Sequence, residues 1–239
     1  MAATTSSHPS RRLLIAIDGP AGAGKSSVAK RLAESLSLPY IDTGAMYRAV
    51  GLLARRAGLE IPLDGLAAVR VPQLMKEHSI DVDVGSDGTR VLIDDTDVSL
   101  EIRTAEMALF ASAVSALPDV REALVPLQRE LATRSGGVME GRDIGTVVLP
   151  DADLKFFLTA SAHERALRRH RDLAAGDETP TLDEVLEQQH QRDLQDTSRS
   201  DSPLQVARGS VVIDTTGLSL EEVVDRMLAE AKGLLSRNA

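Results

Sequence analysis

The 239-residue sequence contains no cysteine and no tryptophan, and aromatic residues make up only 2% of it. Without cysteine there can be neither disulfide bonds nor thiolate metal sites, which is compatible with a reducing cytoplasm. So few aromatic side chains cannot form the stacking surfaces on which single-stranded nucleic acid binds. The net charge of −9 also disfavours nucleic-acid and anionic-membrane partners. Any anionic ligand must therefore be met by local clusters of positive charge.

Long hydrophobic runs are missing as well. The first apolar run, residues 13–17, is far too short to span a membrane. A basic pair before it can imitate a signal peptide, but the run ends at Asp18. Residues 1–12 are polar and rich in Ser and Thr, so we expect a disordered N-terminal tail there. These features predict a cytoplasmic protein with no membrane partner.

Short apolar runs alternate with segments of helical periodicity through most of the chain. Capping-box patterns predict the starts of three helices, where Ser161, Thr181 and Ser219 each precede a Glu by three residues. This alternation predicts an α/β fold, with helices flanking a parallel sheet. Strands are expected at 13–17, 39–42, 137–139, 154–158 and 211–213, and helices at 25–37, 45–57 and 103–134, the last interrupted at Pro118.

The pattern changes between residues 62 and 103. Ile80, Val82 and Val84 alternate with acidic residues, residues 86–88 can turn, and alternation then resumes. This is a β-hairpin pattern. We therefore predict a small insertion at 62–103, within a core formed by residues 13–61 and 104–239.

The strongest motif is a P-loop, G-x-x-x-x-G-K-S, placed between a predicted strand and a predicted helix. Its glycines let several backbone N–H groups point at one phosphate cluster, and the helix N-terminus adds partial positive charge. Lys25 can reach the β- and γ-phosphates, and the Ser26 hydroxyl can bind Mg²⁺. The predicted ATP cradle comprises Gly19, Pro20, Ala21, Gly22, Ala23, Gly24, Lys25, Ser26 and Ser27.

Other classes of P-loop protein fit less well. The sequence has no Asn-Lys-x-Asp motif, with which GTPases read the base. Residues 214–217 match the Asp-x-x-Gly switch only superficially and are interpreted as a turn after a strand. The strand-plus-Asp-Glu signature of large ATPases is missing, and the chain is too short for a motor. A small phosphotransferase fits the sequence better than these classes.

Two predicted helices each carry positive charge on one face. Arg165, Arg168 and Arg169 share a face of the first helix, and Arg192, Asp196 and Arg199 share a face of the second. Residues 174–180 between them are small and polar, as in a mobile connection. The alternative is a solvated, salt-bridged helix face, since Glu164 and Asp172 lie nearby. With a P-loop upstream, we predict a lid over a nucleotide at about 161–200.

Two further segments follow predicted strands, at the sheet edge where α/β proteins bind ligands. In residues 42–48, Arg48 can hold an acceptor phosphate, while Asp42 or Thr43 can cap a helix; both interpretations can be true. In residues 140–143, an Arg beside a carboxylate indicates either ligand contact or a structural ion pair.

Taken in order, these motifs resemble those of bacterial cytidylate kinase, in the P-loop nucleoside monophosphate kinase family. The resemblance spans about 13–235 and rests on segments 17–26, 42–48, 101–104, 120–124, 141–148 and 192–199. It implies that residues 62–99 form the family's enlarged monophosphate-binding insertion. The family often has Asp at position 140 and Ser at position 43, where this chain has Glu and Thr, which leaves a direct role for Glu140 open.

The resemblance implies phosphoryl transfer from ATP, with Mg²⁺, to CMP or dCMP. Arg165 and Arg169 would then belong to the ATP-facing lid. Asp143 would suit the exocyclic amine of cytosine, and an Arg–Ser pair would suit its N3 and O2 acceptors. The implied acceptor site comprises Thr43, Arg48, Arg142 and Arg199 for the phosphate, Ser112, Arg121 and Asp143 for the base, and Asp196 for the sugar. The implied catalytic residues are Lys25, Arg142, Arg192 and Arg199.

Three alternatives stay open at this point: a P-loop kinase for another acceptor such as UMP, AMP or shikimate, a nucleotide-gated binding module, and a nucleic-acid binder. The last fits the charge and the aromatic content worst. A lidded monomer is the simplest expected assembly.

Overall fold

The structure, a computed structural model, describes residues 12–85, 88–173, 180–199 and 201–238. The predicted tail at 1–12 lies outside these ranges except for its last residue. The strands are β1 (Leu14–Asp18), β2 (Tyr40–Asp42), β3 (Ile80–Gly85), β4 (Gly88–Ile93), β5 (Thr96–Asp97), β6 (Gly137–Glu140), β7 (Leu154–Thr159) and β8 (Val211–Asp214). The helices are α1 (Lys25–Leu36), α2 (Thr43–Arg56), α3 (Gly65–Glu77), α4 (Ala105–Val114), α5 (Pro118–Ser135), α6 (Ala162–Leu173), α7 (Leu182–Ser198) and α8 (Leu220–Asn238).

A five-stranded parallel sheet forms the centre, in the order β2-β6-β1-β7-β8. The predicted α/β class is therefore confirmed. β1 lies in the middle of the sheet and is covered on both faces: Ile15 and Ile17 are fully buried on one face, and Ala16 is fully buried on the other. Because parallel strands end at the same edge, the segments after β1, β2 and β6 are brought together there.

The predicted hairpin is confirmed as an antiparallel pair of β3 and β4, to which the short β5 adds. Residues 86 and 87 of its turn lie outside the described residues. Helix α3, which precedes the hairpin, was not predicted from the sequence. Pro72 inside this helix weakens its sequence signal, because proline cannot donate a backbone hydrogen bond.

The predicted helix starts can be compared with the hydrogen bonds. Thr181 and Ser219 form complete capping boxes with their Glu partners. Ser161 accepts from the backbone of Glu164 at 3.2 Å, but the Glu164 carboxylate turns to Arg168, so this capping box is only half present. The predicted connection at 174–180 lies outside the described residues, apart from its last position. None of the described helices is long and apolar enough to cross a membrane.

Candidate active site

The P-loop follows β1 and adopts the backbone conformations that require glycine. Gly19 has φ +149°, and a Cβ atom there would lie 2.0 Å from the Leu158 carbonyl oxygen. The Nζ atom of the buried Lys25 donates to the Pro20 carbonyl oxygen at 2.7 Å. Burial, and then the nearby Arg142, lower the pKa of Lys25 to about 7. The loop therefore holds a cation whose charge is poorly compensated, as expected of a site for an anion.

Glu140 lies at the end of β6, directly beside β1 and the P-loop. The Tyr40 hydroxyl donates to its carboxylate at 2.7 Å, and the Thr43 hydroxyl donates to its backbone carbonyl at 2.6 Å. Burial, and then Asp42, raise the pKa of Glu140, while Lys25 and the Ser26 hydroxyl oppose the shift. A carboxylate next to the hydroxyl of the P-loop serine provides oxygen ligands of the kind that Mg²⁺ prefers.

The three-residue segment after β6 meets helix α7 in a chain of ion pairs. Asp196 accepts from Arg142 Nε at 2.8 Å and from Arg199 Nη2 at 2.8 Å. Burial would raise the pKa of Asp196, but Arg142, Arg199 and Arg192 lower it below its usual range. Burial and then Arg142 lower the pKa of Arg192 to about 10. Positive charge thus exceeds negative charge within this cluster.

The residues predicted to recognise a base lie on α4, α5 and the segment after β6. The buried Arg121 donates to the carboxylate of Asp143 and, at 3.2 Å, to the Tyr47 hydroxyl. Ser112 instead exchanges hydrogen bonds with Gln195 of α7, at 3.1 and 3.2 Å. Burial raises the pKa of Asp143, although Arg121 and Arg199 oppose the shift. Two of the three predicted base-reading residues are therefore paired directly.

A cavity of about 440 Å³ opens beside the P-loop. Arg48 lies in its lining and forms an ion pair with Asp42 at 2.6 Å, while Asp42 also caps α2 by accepting from the Ala45 N–H. The structure is thus compatible with both interpretations of this segment, because Asp42 caps α2 while Arg48 lies in the cavity lining, where a phosphate could bind. Ser26 and Arg169 also line this cavity, which brings predicted ATP residues next to a predicted acceptor residue.

Arg165 is placed differently from Arg169. Its guanidinium donates to the Ala160 carbonyl at 3.1 Å, to the P-loop carbonyl of Ala21 at 3.0 Å and to Asp193 at 2.6 Å. The side chain is buried and its hydrogen-bonding groups are used within the protein. Arg165 therefore contacts the predicted ATP site through its hydrogen bond to a backbone carbonyl of the P-loop.

Several buried arginine nitrogens have no acceptor among the described residues. The Nε atoms that lack a partner belong to Arg48, Arg121, Arg192 and Arg199. A buried donor without a partner costs free energy, so its persistence indicates an absent acceptor. All four residues belong to the site predicted from the sequence.

Sequence reasoning missed some contributors. Asp193 and Gln195 bind the predicted site residues Arg165 and Ser112, and Tyr40 binds Glu140, yet none of these three was singled out in the sequence. Glu140 was noted without a role. The signal that would have identified it is its strand's position next to β1, which only the folded sheet shows.

The model of the cytidylate kinase family matches residues 15–233 of this chain. The chain belongs to the cytidylate kinase family. A cytidylate kinase of a Geobacter species is 48% identical over 228 residues, which cover 94% of this chain and 95% of that protein. The cytidylate kinase of Caldanaerobacter subterraneus is 49% identical over 213 residues, covering 89% and 92%. This family membership makes the chain a kinase of the nucleoside monophosphate class, which transfers a phosphoryl group from ATP.

Among solved structures, an uncharacterized protein from Eubacterium ventriosum has a similar fold. The TM-score is 0.52 at 14% identity, covering 93% of this chain and 99% of that one. At this identity the likeness supports the fold alone.

Proposed function

We propose that the protein phosphorylates CMP and dCMP, with MgATP as the donor. The observation that carries the proposal is the group of arginines around Asp196, next to Lys25 of the P-loop: Arg142, Arg192 and Arg199, the last two with a buried, unpartnered Nε. The triphosphate of ATP and the monophosphate of the acceptor would meet there, supply acceptors for those donors and compensate the excess positive charge. The choice of cytosine as the base is taken from the names of the relatives, which are cytidylate kinases.

In the proposed reaction, an oxygen of the acceptor 5′-phosphate attacks the γ-phosphorus of ATP in line. A new P–O bond forms while the bond to the β–γ bridging oxygen breaks, and ADP leaves with that electron pair. Lys25, Arg142, Arg192 and Arg199 would neutralise the charge that spreads over the transferred group. The acceptor phosphate is anionic at neutral pH, so no general base is assigned.

Mg²⁺ would enter with ATP and help to neutralise its phosphates. The Ser26 hydroxyl would bind it, with the Glu140 carboxylate close by. Among the described residues, no group of three or more His, Asp or Glu side chains is arranged to hold a metal ion by itself. A divalent ion that shares its coordination with phosphate oxygens suits that donor set.

Base recognition is assigned to Asp143, Arg121 and Ser112. The Asp143 carboxylate would accept from the exocyclic amine of cytosine, whereas uracil would present an oxygen to it. A buried polar group left unpaired by the wrong base costs enough to discriminate strongly. Thr43 and Arg48 would help to hold the phosphate, and Asp196 would contact the sugar. Arg169, and Arg165 through the P-loop, would act on the ATP side.

We further propose that residues 62–103 serve as the monophosphate-binding insertion and 161–200 as the lid of a cytoplasmic monomer. The three-stranded sheet and the packing of α6 against α7 support these divisions. Sedimentation over a range of protein concentrations tests the monomer.

The test of the function is Mg²⁺-dependent ADP release with CMP, dCMP, UMP, AMP or shikimate offered separately. Fast release with CMP and dCMP supports the proposal. Fast release only with another acceptor would support a kinase activity but reject the assignment of a cytosine site. Slow release that no acceptor accelerates would reject both assignments.

The base-reading assignment has its own test, in which Asp143→Asn is compared with Asp119→Asn. Asp119 is an exposed residue of α5 and takes part in none of the pairs described above. Asp143→Asn should reduce the preference for CMP over UMP by about 100-fold, because the amide no longer matches the cytosine amine. Asp119→Asn should preserve that preference.

A further inference from the structure

Asp18 lies at the end of β1, one residue before the P-loop, and no role has been assigned to it above. Its side chain is 3% exposed. One carboxylate oxygen accepts from the Ile144 N–H at 2.7 Å, and the other accepts from the Gly145 N–H at 2.7 Å. No cation among the described residues forms an ion pair with it, so these two bonds are the main compensation for burying its charge.

The backbone of β1 makes a second attachment to the same turn. The Ile17 carbonyl accepts from the Gly141 N–H at 3.0 Å. Two successive residues of β1 therefore hold the turn on both sides of Arg142 and Asp143. These are the residues assigned above to the acceptor phosphate and to the base.

The contact with Asp18 is close as well as hydrogen-bonded. A Cβ atom added at Gly145 would lie 3.3 Å from a carboxylate oxygen of Asp18 and 3.1 Å from the Cβ of Ala207. A side chain there would press the turn away from the carboxylate. The absence of a side chain at this position thus permits the attachment.

Burying the charged form of the Asp18 carboxylate lowers the stability of the fold. Burial raises the pKa of Asp18 to about 6, although the two N–H groups and Lys25 oppose the shift. A neutral side chain of the same size would avoid that cost. A charged group kept at a cost to stability is what a functional position shows.

We propose that Asp18 is a positioning residue, which fixes the turn carrying Arg142 and Asp143 relative to the P-loop and so sets the acceptor site in register with the bound ATP. This inference rests on the proposed function, because it assumes that the turn binds the acceptor. Asp18 itself contacts neither substrate in this scheme.

The test compares Asp18→Asn with Asp153→Asn. The Asp153 carboxylate also accepts a backbone N–H, that of Leu14 at 2.9 Å, but at the opposite end of β1. In Asp18→Asn the new NH₂ group faces one of the two backbone N–H groups, so the turn must shift. We expect the KM for CMP to rise about 10-fold or more and the ratio of CMP to UMP turnover to fall. MgADP affinity, measured by calorimetry, should stay within about 3-fold of wild type, because the P-loop retains its own contacts.

Gly145→Ala provides a second variant that changes no charge. It should move the KM for CMP in the same direction, with MgADP affinity preserved, and it remains usable if Asp18→Asn does not fold. Asp153→Asn should match the wild type in both measurements.

Three results would overturn the inference. The first is a KM for CMP and a CMP-to-UMP ratio in Asp18→Asn that equal those of Asp153→Asn. The second is an equal loss of MgADP and CMP affinity, which would place the effect in the P-loop. The third, if Asp18→Asn does not fold, is an unchanged KM for CMP in Gly145→Ala. A wild-type protein that does not turn over CMP would instead reject the proposed function, before any variant is compared.

Discussion

Arg165 of α6 donates a hydrogen bond to the P-loop carbonyl of Ala21, at 3.0 Å. The same guanidinium binds Asp193 of α7. One side chain thus joins three parts of the chain: the phosphate loop, α6 and α7. Gln189 of α7 adds to this contact by donating to the backbone carbonyl of Arg165 at 3.2 Å.

Arg165→Lys should loosen the lid without removing its positive charge. The single nitrogen of an ammonium cannot reach all three acceptors that the separate Nε, Nη1 and Nη2 atoms of the guanidinium bind. We expect the KM for ATP to rise about 10-fold, and ATP hydrolysis without acceptor to increase because water enters the site. Arg171→Lys, an exposed change on the same helix, is the control. Unchanged ATP kinetics in Arg165→Lys would show that the contact with Ala21 is dispensable.

Lys25→Met should remove activity but leave the fold intact. The ammonium donates to the Pro20 carbonyl here, and in the proposed complex it would reach the ATP phosphates. Turnover should fall at least about 100-fold, because charge stabilisation in the transition state is lost. Lys30→Met changes an exposed residue of the same helix and should be active. Near-normal turnover of Lys25→Met, with circular dichroism unchanged, would contradict the assigned catalytic role.

At Gly51, α2 packs closely against α4. A Cβ atom at this position would lie 2.7 Å from the Cβ of Phe110, so Gly51→Ala must push the helices apart. We expect the free energy of unfolding to fall by about 1–2 kcal/mol, since overpacking exceeds the gain in helix propensity. Gly65→Ala, where no atom lies within 4 Å, should change it by less than about 0.5 kcal/mol. Urea unfolding measures both, and equal stabilities would contradict the helix contact.

The pH dependence of stability should reveal the buried carboxyl of Asp18. Its pKa is raised from 3.8 to about 6 by burial, so between these values the folded state binds a proton that the unfolded state has released. Stability therefore falls as the pH rises through this window. Asp143 strengthens the shift and Lys25 opposes it, and Lys155 also lies close to Gly145.

The measurement is urea unfolding of the wild type and Asp18→Asn, from about pH 4 to about pH 7. The difference between their unfolding free energies should move in favour of the variant by about 2 kcal/mol, since each pKa unit is worth about 1.4 kcal/mol and most of the shift lies within this pH range. A difference that does not change with pH would mean that Asp18 titrates as an exposed carboxyl does.

Local features of the chain could be predicted from the sequence, because they depend on interactions between residues that are close together along the chain. The P-loop needs glycines at fixed spacing between a strand and a helix, and the structure confirms both elements around it. The hairpin at 80–93 follows from alternation within a dozen residues. α3 was missed because Pro72 interrupts its pattern, although the rest of the helix holds around it.

The resemblance to a known family carried the predicted roles further than pattern alone. It grouped Arg142, Asp196 and Arg199, which the structure joins through ion pairs. It also grouped Arg121 with Asp143, which are paired as well. It placed Arg165 with Arg169 at the ATP, whereas the structure gives the Arg165 guanidinium to Ala21, Ala160 and Asp193. A side chain's partner depends on what the fold brings near it.

The sequence by itself determined the phosphate loop, the α/β class and the family, because each depends on short local motifs and on the order in which they follow one another along the chain. The tertiary structure alone decided that β6 lies beside β1, which places Glu140 next to the P-loop. It also decided that Asp18 holds Ile144 and Gly145, more than a hundred residues away. Contacts across such separations depend on strand order and on how buried charges find partners, and neither leaves a pattern in neighbouring residues.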